Sequence, residues 1–535
     1  MRVTVGAYFA LGCALCSVTA QAQNLGTSTA CGTAFGTRFN LEPRSSPMPQ
    51  DQTAVDFIPG TAAGDLVVGV ADDMRQLTAG SGSAPDFRGL FGITSQTGFY
   101  VHRNGANTNP CSPDLEGGMG PLVNPADNQN LVGVGFAAVV ADATNQTFFI
   151  ADTRVGEGEG SDSAIGLFRT TVANLNNPTI CPNGTLTQSQ SAQCWPTSAL
   201  INLSSILTAD NSSPHLAVDE RLAGSATGAG DVYVSATQLG PGGSAVVVTA
   251  CKNNLSGCSS PLTVSSPDPF ADLSHVAIRP DGGVTITYVV QSGGAIGIPE
   301  SADIKYVSCT PRGAPQTLSC APARLIQTET QAIPFDPFNP ETGLGAAQFV
   351  MHTYPKHTHR QDTNGIETYV VWERCKVSTA IAYPGLTFVN ICPDADLVMA
   401  ASADNGHTWQ FADVDTGAQD QFQAWIATDT SNQTVNIAYY SSQADTFQHR
   451  PQVMLRQIPP GPATPDPVGA SNLITTTGME PSGDPVLQGI FIGDYLGVAA
   501  RGGRAYIHHT HTAVSGMYGG MPSPEQNNHL SRFDY

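Results

Sequence analysis

Short runs of alternating apolar and polar residues recur along the chain. Each meets a turn of Asp, Asn or Gly and is followed by a second run of aromatic and β-branched residues. Alternation with period two predicts a strand with one buried face, and two such runs around a turn predict a hairpin. Four copies are plain. His215–Asp219 leads to Asp231–Val234, and His275–Ile278 leads through Pro280-Asp281-Gly282-Gly283 to Val284–Tyr288. Trp425–Asp429 leads to Val435–Tyr439, and Tyr495–Ala499 leads to Arg504–Ile507. Two copies are looser: Ala138–Asp142 before Thr147–Ile150, and Lys356–Arg360 before Tyr369–Trp372. A degenerate seventh runs from Gly64 to Asp72.

The spacing decides the architecture. Successive hairpins start 60 residues apart from His215 to His275 and 81 apart from His275 to Lys356. That leaves room for two more strands per unit. Six or seven four-stranded units predict an all-β fold, a β-propeller, in which each repeat adds its own small core. Stacked β-domains are the competing arrangement. The Pro-rich stretch Pro459–Pro467 reads as a linker between two units, not a domain boundary. Asn528–Phe533 is a candidate outer strand of the last unit, and Thr37–Leu41 a candidate for closing the ring.

Composition agrees. Only 13% of residues are charged, with 55 glycines and 38 prolines, which suits short strands and turns. The net charge of −21 argues against nucleic acid or an anionic membrane as partner. The N-terminus carries Arg2, a mostly apolar run Val3–Val18 and the small-x-small site Ala20-Gln21-Ala22. This reads as a signal peptide over residues 1–22, followed by one propeller domain over 23–535. A membrane anchor, or a lipoprotein acylated at Cys13, is a weaker match, and no later segment resembles a membrane span. Beyond the leader, ten cysteines fall mostly as neighbours: Cys181 with Cys194, Cys251 with Cys258, Cys309 with Cys320 and Cys375 with Cys392. Cys31 and Cys111 are left for each other. Connectivity does not follow from sequence, but short intervals rich in turn residues favour local closure, and exported thiols are normally oxidised.

Ser402-Ala403-Asp404-Asn405-Gly406-His407-Thr408-Trp409 fits the pattern Ser-x-Asp-x-Gly-x-Thr-Trp. It resembles the Asp box of bacterial sialidase-like (BNR-repeat) propellers. Phe422–Asp429 and Ile492–Ala499 are similar to inner-strand segments of exported bacterial proteins of that kind. The resemblance implies a sialidase-like propeller whose Asp box joins the outer strands of one blade, away from any active site. Ser402, Asp404, Gly406, Thr408 and Trp409 are then structural. An exo-sialidase of that family needs three arginines on the substrate carboxylate, a Tyr–Glu pair and an acid–base Asp. The Arg-Ile-Pro motif that normally holds the first arginine is absent.

The repeat itself nominates a site. The first strand of each propeller blade lines the central channel. The aligned positions carry Ala138, His215, His275, Lys356, Trp425 and Tyr495, each four residues before a turn-side partner. His215, His275, Lys356 and Trp425 are candidate sugar-stacking and hydrogen-bonding residues, unless they fill the channel or pack between blades. Asp494 with Tyr495 is the best acid–base pair, although adjacent strand residues point to opposite faces. His352, His357 and His359, and again His508, His509 and His511, include alternating pairs that could meet on neighbouring blades around a metal. Channel or surface histidines are the favoured reading, and no metal or cofactor is expected. The expected function is an exported monomeric propeller that binds carbohydrate, with glycoside hydrolysis by non-standard residues as its catalytic form. A non-catalytic propeller that binds an extracellular protein is the alternative.

Overall fold

The structure, a computed structural model, describes residues 27–30, 50–60, 64–73, 96–103, 113–156, 162–205, 210–292, 301–313, 317–330, 343–344, 351–363, 365–383, 386–415, 417, 419–445, 450–461, 471–475, 477–481, 492–493, 495–518 and 521–535. The signal-peptide region, Cys31, Cys111, Thr37–Leu41 and Asp494 lie outside these residues, as does most of the Pro-rich linker.

The described strands form seven mainly antiparallel sheets. In chain order the first strand of each is Gln50–Ile58 (blade I), Ala138–Asp142 (II), Asp210–Val218 (III), Ala271–Ile278 (IV), Lys356–Asp362 (V), Gln421–Asp429 (VI) and Gly497–Arg501 (VII). Each of these first strands lies beside that of the next blade, and that of blade VII returns to that of blade I. The expected β-propeller is therefore the fold found, with seven blades among the described residues. Blade VII is completed by Arg504–Tyr518, Met521–Asp534 and the N-terminal strand Thr27–Ala30, which pairs with Met521–Asp534. Both chain ends thus share one sheet, and Asn528–Phe533 lies in its third strand. The degenerate copy needs correction. Gly64–Asp72 covers a turn and the second strand of blade I (Leu66–Asp73), while the first strand lies earlier, at Gln50–Ile58.

Period-two alternation places successive residues of a first strand against different neighbours. On blade III, Leu216 and Val218 pack with Leu167 and Ile165 of blade II, while Ala217 packs with Val276 and Ile286 of blade IV. Val371 and Met399 of blade V meet Ile437 and Tyr439 of blade VI in the same way. Each fully buried large apolar side chain contributes roughly 1.5–3 kcal/mol. The core is thus a set of layers between blades around an axis.

One device ties blade II to blade I. Between the third and fourth strands of blade II an insertion carries short helices at Val172–Leu175 and Gln188–Cys194, closed by the Cys181–Cys194 disulfide. Its segment Gly184–Thr185 pairs in parallel with Leu115–Glu116 and adds an edge to blade I. The disulfides Cys251–Cys258, Cys309–Cys320 and Cys375–Cys392 form as expected within their own blades.

The Asp box joins the third and fourth strands of blade V, Leu386–Ser402 and Gln410–Asp413. Asp404 accepts the N–H groups of His407 and Thr408 at 3.0 and 2.9 Å and the Thr408 hydroxyl at 2.7 Å. Desolvation would raise its carboxyl, but these donors and the Ser402 hydroxyl outweigh it and hold it down at about 2. Gly406 needs its positive φ of 78°, and a Cβ there would fall 2.6 Å from the Tyr306 ring of blade IV. Trp409 meets the same ring edge-on at 5.6 Å. The box is a joint between blades IV and V.

Candidate functional site

The aligned ring positions have a common backbone cause. In blades III, IV and VI the pairing of the first strand slips just before the ring residue: between Ser212 and His215, Asp272 and His275, and Phe422 and Trp425. The residue two before the ring position has positive φ there: Ser213 at 50°, Leu273 at 51° and Gln423 at 51°. Phe136 (53°) and Gly493 (91°) stand in the same place before Ala138 and Tyr495. Blade I slips between Asp51 and Ala54, which identifies Ala54 as the seventh ring position. The first strand of blade V pairs without a slip. A β-bulge bends its strand and re-aims the next side chain. Here it is repeated around the axis.

The ring residues converge. His215 lies 4.3 Å from His275 and 4.9 Å from Trp425, centroid to centroid, so blades III and VI touch across the axis. Trp425 lies 5.4 Å from Tyr495. Lys356 is fully buried, its ammonium 3.9 Å from the Tyr354 ring centroid and 5.4 Å from that of Trp425. The Tyr495 hydroxyl donates to Ala137 O at 3.2 Å, which commits the phenol to a backbone carbonyl.

From this plug a cavity of about 230 Å³ runs to the face that carries the turns after the first strands. His215, His275 and Trp425 line its inner end, whereas Lys356 and Tyr495 lie behind it. Valine, isoleucine and alanine side chains form the walls, and Asp56, Glu220 and Arg501 are its charged lining outside the histidines. Arg501 is engaged on both sides. Its Nη1 lies 2.6 Å from Glu220, and its Nη2 lies 3.3 Å from Asp56 and donates to Ala141 O at 3.2 Å. Asp56 also accepts the Ala141 N–H at 2.7 Å, tying blade I to blade II.

The buried imidazoles are neutral. Burial, then the charge of Lys356 and the neighbouring His357, lowers His215 to about 3. Burial lowers His357 to about 3, and His275 and His359 are held well below their usual value for the same primary reason. A neutral imidazole has one donor and one acceptor nitrogen. His357 and His359 share Thr285 Oγ1, at 2.8 and 2.7 Å from their Nε2 atoms, and His357 Nδ1 lies 2.9 Å from Thr287 Oγ1. His275 Nδ1 lies 3.2 Å from His357 Nδ1. His215 differs: it is buried, lines the cavity, and neither ring nitrogen has a hydrogen-bond partner.

The second histidine group stands on blade VII, two blades from His357 and His359, so the alternative in which the pairs meet on neighbouring blades does not occur. His509, His511 and His529 cluster there at 5.2–6.1 Å between centroids, His509 stacked on His529, while His508 turns to Ala54 O and Asn528. Among the described residues no group of three or more His, Cys, Asp or Glu is arranged to hold a metal ion.

One carboxyl was not anticipated from sequence. Asp420 precedes the first strand of blade VI, is buried, and accepts the Ala395 N–H at 2.9 Å through Oδ1, while Oδ2 has no partner. Burial pushes it up to about 6; the Ala395 N–H opposes this, and Asp394 and Asp396 add repulsion. Nothing in Gln419-Asp420-Gln421 marks it beyond its place before a first strand.

No protein-family model matches the sequence, and no curated protein matches it. Among solved structures the chain is similar to a Fusarium graminearum α-L-arabinofuranosidase at 8% identity, over 81% of this chain and 96% of that one, with a TM-score of 0.39. It is similar to a polysaccharide lyase at 10% identity, over 90% of each chain, with a TM-score of 0.43. A Hadza microbial sialidase aligns at 10% identity over 82% of this chain and 73% of that one, with a TM-score of 0.37. The fold assignment rests on the chain's own strand pairing.

Proposed function

We propose that residues 23–535 form one exported propeller that binds carbohydrate in the axial cavity, against His215, His275 and Trp425. The observation that carries this reading is His215: a buried imidazole beside an indole, lining a solvent-connected cavity, with both nitrogens unsatisfied. Unpaired buried polar groups are costly and usually mark a place where a partner arrives. Aromatic faces next to free donor and acceptor groups suit a sugar ring. Four disulfides and the leader-like N-terminus support export, and no helix among the described residues is long and apolar enough to cross a membrane. A glycan array probed with the mature chain tests the reading, and no bound glycan would refute it.

A catalytic reading, at a site apart from the axial cavity, which Asp420 does not line, is favoured by one feature: the buried Asp420 carboxyl, pushed up to about 6 by burial and then by Asp394 and Asp396. A carboxylic acid kept protonated near neutrality is what glycoside hydrolysis asks of its general acid. Asp420 is a stronger candidate than Tyr495, whose hydroxyl is engaged with Ala137 O. Turnover of fluorogenic glycosides, abolished by Asp420→Asn, would establish it; inactivity of the wild type across the panel removes it.

A further inference from the structure

We infer that the axial cavity takes a single uncharged sugar ring, entering from the turn face, and rejects acidic sugars. This rests on the carbohydrate reading and narrows it to a ligand class.

Size comes first. About 230 Å³ is below the ~300–1,000 Å³ of ordinary ligand pockets and holds about eight waters at ~30 Å³ each. One ring fills it; an internal segment of a chain has no second exit, because Trp425, His215 and His275 meet at the inner end. Thr430, exposed at the rim, lies on the turn after the first strand of blade VI and marks the entrance.

Charge comes second. Apart from the histidines, the charged lining is Asp56 and Glu220 against Arg501, a net negative wall, while the buried Lys356 ammonium behind the inner end faces the Tyr354 and Trp425 rings and does not line the cavity. Among the described residues Arg501 is the one lining guanidinium, and it already faces both carboxylates. A carboxylate sugar would meet two carboxylates and no free bidentate donor, the reverse of what such a ligand requires. The inner end carries neutral imidazoles. His215 holds one unpartnered donor and one unpartnered acceptor just beneath the cavity surface, and a hydroxyl that turns the ring toward the cavity satisfies either. Apolar walls from Leu216, Val276 and Ile426 suit the C–H faces of a ring.

The inference therefore sets the ligand apart from that of the sialidases the Asp box resembles. Isothermal titration of the mature chain with glucose, galactose, N-acetylglucosamine, glucuronic acid and N-acetylneuraminic acid tests it. At least one uncharged sugar binds, and both acids bind at least tenfold more weakly. His215→Phe, which removes both nitrogens, and Thr430→Trp, which blocks the exposed entrance, each weaken the uncharged sugar at least tenfold while thermal unfolding stays cooperative. Equal or tighter binding of either acid overturns the inference. So does binding unchanged in both variants, which would place a sugar site elsewhere and leave the carbohydrate reading standing. An empty glycan array would instead remove that reading itself.

Discussion

Acid should destabilise this propeller through its axial histidines, and His215 gives the cleanest measure. In the folded protein His215 stays neutral down to about 3. In the unfolded chain it takes a proton near its ordinary value of about 6.5. Its folded pKa is thus depressed, so the unfolded state binds more protons below pH 6.5 and stability falls with pH until about pH 3. At about 1.36 kcal/mol per unit, lowering the pH from 7 to 5 costs about 2 kcal/mol for this one ring. His357, also at about 3, adds about 2 kcal/mol more by the same arithmetic. Asp420 acts in the opposite sense. Its folded pKa is raised to about 6, so between pH 7 and 5 the folded state gains a proton that the unfolded state does not, returning about 1 kcal/mol.

The difference between two proteins isolates His215. Neither of its nitrogens has a partner, so His215→Phe loses no hydrogen bond and should leave stability at pH 7 within about 1 kcal/mol of wild type. Equilibrium guanidinium unfolding of both proteins at pH 7 and pH 5, disulfides intact, is the assay. The variant should lose about 2 kcal/mol less than wild type between the two pH values. Identical losses would mean that His215 titrates in the folded state much as it does in the unfolded chain, and the picture of a dry, neutral plug would be wrong.

Three further outcomes test the packing. Ser213 holds a positive φ of 50° in the bulge before His215; Ser213→Val should destabilise by about 1–2 kcal/mol and Ser213→Gly should be neutral or better, read by thermal unfolding. Glu373 is buried and accepts the N–H groups of Tyr354 and Ala424 at 2.9 Å each; Glu373→Ala strands both donors and should cost about 3 kcal/mol or more in denaturant unfolding. Asp404→Ala should speed amide exchange at His407 and Thr408, whose N–H groups it accepts, and leave sugar binding unchanged, because the box faces blade IV rather than the axis.

What sequence could reveal followed from periodicity. The hairpins at His215, His275 and Trp425 were legible because one face alternates and a turn interrupts it. The first strand of blade I was not, because Asp56 breaks its apolar run; the structure uses that carboxylate to accept the Phe57 and Ala141 N–H groups and to face Arg501. Outer strands such as Leu262–Thr263 and Asn472–Leu473 are two residues long and carry no period. The ring alignment was legible, but its cause was not: Ser213, Leu273 and Gln423 are not glycines, so nothing in their chemistry announces a left-handed backbone. Asp420 was silent for a related reason, since its raised pKa comes from burial and then from Asp394 and Asp396, which sequence does not place.

The same ring explains why the cavity exists at all. The bulge recurs in every blade but V, and the ring residue varies: blades III to VII present His215, His275, Lys356, Trp425 and Tyr495, while blades I and II present Ala54 and Ala138. Five large side chains meet, and the two alanines leave the space they do not fill; both line the cavity. If this is the origin of the void, Ala138→Leu grows into empty space. Enlarging a residue in a filled core typically costs about 1–3 kcal/mol, whereas burying each new methylene in a void gains up to about 0.8 kcal/mol. The variant should therefore unfold at or above the wild-type temperature and lose sugar binding at the same time. A marked loss of stability would show that Ala138 is packed and that the space lies elsewhere on the axis. Unchanged stability with unchanged binding would separate the void from the ligand. Only gained or equal stability together with lost binding fits a site made by two missing side chains in a sevenfold ring.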